Sequence, residues 1–226
     1  MRPPEVHILD DPATAVAALL AEQARRGGSI VLTGGTTPAA AYERAAALEP
    51  DWGRTTIWWG DERCVPPDDD RSNFRLVRET LLEHLRRAPA RVHRIRGEIE
   101  PTEAATELDG ALAGETLDLL LLGLGTDGHV ASLFPDSPQL DVTDRRAVNG
   151  PAGLEPFVER VTMTMPVLQG ARRIVFLVTG EAKADAAARA FAGDVDRSTP
   201  ASLVRLAPTP VEVYADTAAG AALEAR

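Results

Sequence analysis

The feature that most constrains this chain is the stretch Leu117 to Pro135, LDLLLLGLGTDGHVASLFP. Leu119 to Leu122 form an unbroken apolar run, too short for a helix of ordinary length and closed by Gly123. Such a run, bounded by glycines, predicts a strand buried on both faces of a parallel sheet. Asp127, Gly128 and His129 follow within a few residues. Apolar sequence that gives way to glycines, a carboxylate and an imidazole marks the carboxyl end of a central strand, where open α/β sheets bind ligands.

Three readings of this stretch compete. The first is a tight strand-to-helix turn whose histidine caps or packs a neighbour. The second is a dinucleotide site, since Gly123, Gly125 and Gly128 have the GxGxxG spacing. That fingerprint needs a long helix aimed at a pyrophosphate, whereas Pro135 and Pro138 cut any helix short and Asp127 places negative charge in its path. The third is an acid/base site in which Asp127 and His129 face a substrate, and the rest of the chain favours it.

The chain alternates predicted strands and helices. Val6 to Leu9, Ser29 to Leu32, Thr55 to Trp59, Arg145 to Val148, Phe157 to Met165, Arg173 to Thr179 and Val211 to Tyr214 read as strands. Pro12 to Arg26, Ala39 to Leu48, Asn73 to about Leu85, Pro101 to Leu112, Glu181 to Phe191 and Ser202 to Leu206 read as helices. Thr37 is placed as the N-cap and Pro38 as the first residue of the second helix, and Ser72 as the N-cap of the third. The alternation implies an α/β fold: a doubly wound, mainly parallel sheet with helices on both faces, a Rossmann-like three-layer sandwich. With no repeat, low-complexity tract or linker, residues 1–226 are expected to form a single domain.

Four strand ends carry polar clusters that can meet in one cleft. Gly34 and Gly35, followed by Thr36 and Thr37 at a helix start, form an anion cradle of backbone N–H groups, hydroxyls and a helix dipole. Asp61 and Arg63 follow the next strand, and Asp127 and His129 follow the central one. Lys183 sits in the first turn of a helix, where the macrodipole disfavours a cation unless an anion binds there. It is the only lysine in the chain. Arg160 reads equally as a site residue or a surface strand residue. The acidic run Asp68 to Asp70 reads as a solvated loop face rather than a metal site. His84 is expected at the surface, His93 receives no role, and Cys64 is expected to pack.

A net charge of −10 argues against nucleic acid or an anionic membrane as partner. One cysteine excludes an internal disulfide and fits a reducing compartment. Neither a signal peptide nor a membrane span is recognised, so a cytoplasmic protein is expected, as a monomer or dimer.

These clusters, in this order, resemble the glucosamine-6-phosphate isomerase/6-phosphogluconolactonase family. LTGGTTP looks like its phosphate loop, WGDERCVPPDDDRSNF is similar to its second motif, LLLGLGTDGHVASLFP closely matches its third, and RVTMTMPVL resembles a fourth. The deaminating isomerases of the family carry a glutamate soon after DGH, and Phe134 stands in its place here. The SLFP segment, and DER in place of the isomerase DEY, look like the lactonases. The resemblance implies hydrolysis of 6-phosphogluconolactone without metal or cofactor. His129 would activate water and Asp127 would orient His129 or the sugar. The 6-phosphate would rest on Gly34, Gly35, Thr36, Thr37, Arg63 and Lys183, while Asp61 would orient a sugar hydroxyl or Arg63. The alternatives are a deaminating isomerase, a sugar-phosphate sensor without catalysis, and an NAD-dependent oxidoreductase.

Overall fold

The computed structural model describes residues 2–223. In chain order the elements are β1 (Glu5–Ile8), α1 (Pro12–Arg26), β2 (Gly28–Leu32), α2 (Thr36–Leu48), β3 (Thr55–Trp59) and β4 (Asp61–Arg63). Then come α3 (Asn73–Thr80), β5 (Arg91–His93), α4 (Pro101–Ala111), β6 (Leu119–Leu122), β7 (Ala147–Gly150) and β8 (Arg160–Met163). The chain continues through α5 (Met165–Gln169), β9 (Ile174–Val178), α6 (Ala184–Ala187), α7 (Pro200–Leu203), β10 (Val211–Ala215) and α8 (Thr217–Gly220).

Seven strands form one sheet in the order β1-β10-β9-β6-β2-β3-β5, and every pairing in it is parallel. Helices cover both faces, which gives the expected three-layer α/β architecture. β6 lies at the centre between β2 and β9, and all four of its leucines are buried. Each such side chain contributes about 1.5–3 kcal/mol by leaving water. The apolar run is therefore continuous because no face of this strand meets solvent.

Local chemistry sets the helix ends. Asp11 caps α1 by accepting from Thr14 N–H at 3.3 Å, with Pro12 as the first helical residue. Gly27 and Gly28, at φ of 81° and 92°, turn the chain back into β2 where a side chain would be strained.

Four features differ from the sequence expectations. The cap of α2 is Gly35, at φ 104°, not Thr37, whose hydroxyl is engaged elsewhere. The helix after Ser72 stops at Thr80 and is followed by a 3₁₀ turn, Leu82–His84. The helix after Gly180 is composite: a 3₁₀ turn at Glu181–Lys183, then α6, then a π turn at Ala188–Ala192. Buried Arg205 donates to Ala190 O at 3.2 Å and to Gly193 O at 2.7 Å, satisfying carbonyls at that π turn. Finally, β4, β8 and β7 make a separate antiparallel sheet of three strands, which local periodicity did not reveal.

Candidate active site

The carboxyl ends of β2, β3, β6 and β9 surround a cavity of about 340 Å³, within the usual size range for small-molecule pockets. Of the residues predicted for the site, Gly34, Gly35, Thr36, Thr37, Asp61, Arg63, His129, Arg160 and Lys183 line it. Asp127 does not. It stands behind the imidazole, so its partner is His129 rather than a molecule in the cavity.

The loop after β6 is built for that contact. Gly125 N–H donates to His129 O at 2.9 Å, and Gly128 N–H donates to Gly125 O at 3.0 Å with φ of 96° at Gly128. Any Cβ on Gly125 would run into His129 Nδ1 and Asp127 Oδ1. Asp127 Oδ1 lies 2.6 Å from His129 Nδ1. Burial raises the Asp127 pKa, but hydrogen bonds and charge from His129 outweigh this and hold it below its ordinary value. A carboxylate there is the partner for a ring N–H at Nδ1, the tautomer in which Nε2 carries the free lone pair. Phe134 packs against the imidazole, with ring centroids 4.7 Å apart, and lines the cavity beside it.

The phosphate-loop candidate bridges two strand ends. The hydroxyls of Thr37 and Thr179 lie 2.9 Å apart, tying the start of α2 to the end of β9. Tyr42 OH accepts from Thr33 N–H at 3.0 Å and donates to Thr33 O at 2.7 Å, fixing the backbone just before the glycines. The first N–H groups of α2 have no helical acceptor and point to the helix entrance. Lys183 reaches the same cavity; burial pushes its pKa down, opposed by the charge of Asp127.

At the end of β3 successive side chains diverge. Asp61 Oδ2 accepts from Ser132 Oγ at 2.6 Å, and Asn73 Nδ2 donates to Asp61 O at 3.0 Å. No hydrogen bond or ion pair joins Asp61 to Arg63 among the described residues; the Asp61 carboxylate bonds Ser132 and Asn73. In a strand, Asp61 and Arg63 share a face while Glu62 points to the other. Buried Glu62 accepts from the backbone N–H groups of Arg63, Asn73 and Phe74, each at 2.7 Å, and from Ser72 Oγ at 3.1 Å. It thereby holds the start of α3 against the site. The acidic loop pairs with its own arginines, Asp69 with Arg71 and Asp70 with Arg75. Among the described residues no three His, Cys, Asp or Glu side chains gather as a metal-binding set.

Sequence reasoning missed Asn73, Ser132 and Thr162. Asn73 crowds Gly34, where a Cβ would meet its amide. Ser132 N–H donates to Thr162 Oγ1 at 3.2 Å. Their signal was a polar residue within a motif, Asn73 in WGDERCVPPDDDRSNF, Ser132 in LLLGLGTDGHVASLFP and Thr162 in RVTMTMPVL, and the structure buries all three.

The family described as glucosamine-6-phosphate isomerases/6-phosphogluconolactonase matches residues 7–213. The chain belongs to this family. Within it, a probable 6-phosphogluconolactonase of Arabidopsis thaliana is 34% identical over 193 residues, 77% of this chain and 72% of the relative. Matched segments cover 61 to 72% of such curated relatives' own lengths. The solved 6-phosphogluconolactonase of Trypanosoma brucei is 26% identical, with a TM-score of 0.82 over 97% of this chain and 98% of that one. A monomeric glucosamine-6-phosphate deaminase superposes with a TM-score of 0.86 at 20% identity over 96% and 99% of the two chains, a likeness of fold alone. No helix among the described residues is long and apolar enough to cross a membrane.

Proposed function

We propose that this chain hydrolyses 6-phospho-D-glucono-1,5-lactone to 6-phospho-D-gluconate in the oxidative pentose phosphate pathway. The observation that carries the proposal is the surroundings of His129. The imidazole has a carboxylate at Nδ1, the Phe134 ring beside it, and the cavity in front. That arrangement supplies a general base, with Phe134 standing where the deaminating isomerases carry the glutamate that amine loss would use.

A δ-lactone is an activated ester, so water suffices as nucleophile. His129 Nε2 takes a proton from water as its oxygen bonds to C1. The tetrahedral intermediate then collapses, the C1–O5 bond breaks, and the proton on Nε2 passes to O5. The new carboxylic acid releases its proton at neutral pH. Asp127 keeps the imidazole in the required tautomer and stabilises its charged form. Positioned acid/base catalysis of this kind is worth about 10²–10⁴-fold.

The 6-phosphate lies on the Gly34 and Gly35 amides, Thr36, Thr37 and Lys183, with Arg63 and Arg160 as the other cations of the cleft. A dianion needs such charge-assisted donors, and a chain of net charge −10 must gather them locally. The chain acts as one domain, in the cytoplasm, without nucleic acid or membrane as partner.

The test is acid release from freshly generated lactone, above the spontaneous rate, beside His129→Ala. Rapid turnover that the variant loses supports the assignment; equal rates would discard His129 as the base, and no turnover by the wild type would discard the reaction.

A further inference from the structure

We propose that Arg63 and Arg160 form a second anion subsite, apart from the phosphate cradle, that receives the carboxylate created at C1 when the ring opens. This rests on the lactonase reading and moves Arg63 from the 6-phosphate, where the family resemblance set it, to the other end of the substrate, leaving Lys183 as the cation of the cradle.

The two arginines face each other directly across the antiparallel β4–β8 pair. Like charges in that position destabilise a sheet. A carboxylate between them would offset the repulsion, yet neither forms an ion pair with an acidic side chain among the described residues. Elsewhere the chain pairs its arginines readily, as in Arg71 with Asp69 and Arg173 with Glu212. Arg160 is only 5% exposed. Both arginines line the cavity, and the Nε of each is buried without a hydrogen-bond partner. Backbone carbonyls hold the guanidinium groups on their other edges: Arg160 Nη2 donates to Pro156 O at 2.9 Å, and Arg63 Nη1 to Arg71 O. Burial, reinforced by the charge of Arg63, pushes the Arg160 pKa down. Arg160 is thus fixed and desolvated, Arg63 is fixed beside it, and the Nε of each is short of an acceptor.

Its position suits the reacting end of the substrate. Arg63 lies two residues beyond Asp61 on the same face of β4, about 7 Å along the strand. Asp61 anchors Ser132, in the loop that carries His129. Opposite Asp61 stands Thr162, which accepts from the same Ser132. The phosphate cradle has a separate support, through Thr37 and Thr179, and a cation of its own in Lys183. The two acidic residues of β4 are already engaged: Glu62 accepts from the Arg63, Asn73 and Phe74 amides, and Ser132 and Asn73 bond the Asp61 carboxylate.

The chemistry supplies the anion. The lactone is neutral at C1, whereas its product carries a carboxylate there. A charge begins to form on the C1 oxygen as water attacks, and donors fixed in advance stabilise it most. Two guanidinium forks match a carboxylate better than a single ammonium does.

The experiment is calorimetric titration with 6-phosphogluconate and with glucitol 6-phosphate, the same open chain bearing CH₂OH in place of the carboxylate. The wild type is expected to prefer 6-phosphogluconate by about 10-fold or more, the range of a charge-assisted hydrogen bond. Arg160→Gln should reduce that preference to about threefold or less and leave the affinity for glucitol 6-phosphate unchanged. Arg63→Gln, on a partly exposed residue, repeats the test if Arg160→Gln does not fold. Equal loss of both ligands would assign the pair to the phosphate and overturn the proposal, as would a wild type with lactonase activity but no preference. A wild type that binds neither ligand and hydrolyses no lactone would discard the lactonase reading itself, and this proposal with it.

Discussion

One oxygen of Asp127 fixes His129 twice: Oδ1 accepts the backbone N–H at 3.0 Å and lies 2.6 Å from Nδ1 of the ring. Backbone and side chain of His129 are therefore registered to a single atom. Asp127→Asn keeps the shape but can present an amide N–H to Nδ1, favouring the wrong tautomer. We expect kcat to fall about 10²–10⁴-fold with KM little changed, measured by steady-state lactone hydrolysis. A stability comparison adds a pH signature. The folded-state pKa of Asp127 lies below the ordinary 3.8. Its contribution is then full above that value and fades as pH falls through the lower folded value, so the stability gap between wild type and variant should close in strong acid.

Gly125→Ala tests the space behind the same pair. The new methyl group would meet both His129 and Asp127, so the loop must shift. Lactonase activity should fall at least about 10-fold, with a stability loss of about 1–3 kcal/mol from overpacking. Kinetics and urea unfolding read the two effects separately.

Lys183→Ala removes the cation from the cradle. The loss of one charge-assisted bond is worth about 1.5–3 kcal/mol, so KM should rise roughly 10- to 100-fold. Inorganic phosphate should weaken as a competitive inhibitor to a similar degree. An unchanged KM would exclude Lys183 as a phosphate ligand.

Glu62→Gln tests the support of α3. The amide would point N–H groups at an oxygen's former donors, Phe74 N–H and Ser72 Oγ. A loss of about 1–3 kcal/mol is expected by urea unfolding. Burial holds the Glu62 pKa above its ordinary 4.5, against the pull of the Asn73, Phe74 and Arg63 amides. A raised folded-state value means stability is fullest below the unfolded pKa and declines as pH rises through the folded one. That slope should be present in the wild type and absent in the variant.

Cys64 should be slow to alkylate. Burial, with the nearby charges of Glu159 and Glu62, pushes its thiol up to about 11. Roughly one thiol in a thousand would then be ionised at pH 8. Iodoacetamide labelling followed by mass spectrometry should lag far behind a free cysteine, with activity unchanged during the lag.

Local pattern was enough to find the central strand and most of the polar residues that line the cavity. Leu119 to Leu122 could only be buried on both faces, and polar residues appearing where apolar runs stop marked the strand ends that line the cavity. Both are local patterns, set by burial and by backbone geometry. The tertiary structure decided which segments meet. Periodicity reports that a face is buried, not what covers it. It could not show that β4 and β8 pair in a second sheet, that Arg63 and Arg160 are opposed there, or that Ser132 rests on Asp61. It also could not choose between His129 and the sugar as the partner of Asp127. The closed glycine turn at Gly125 and Gly128 made that choice by folding the carboxylate back behind the imidazole.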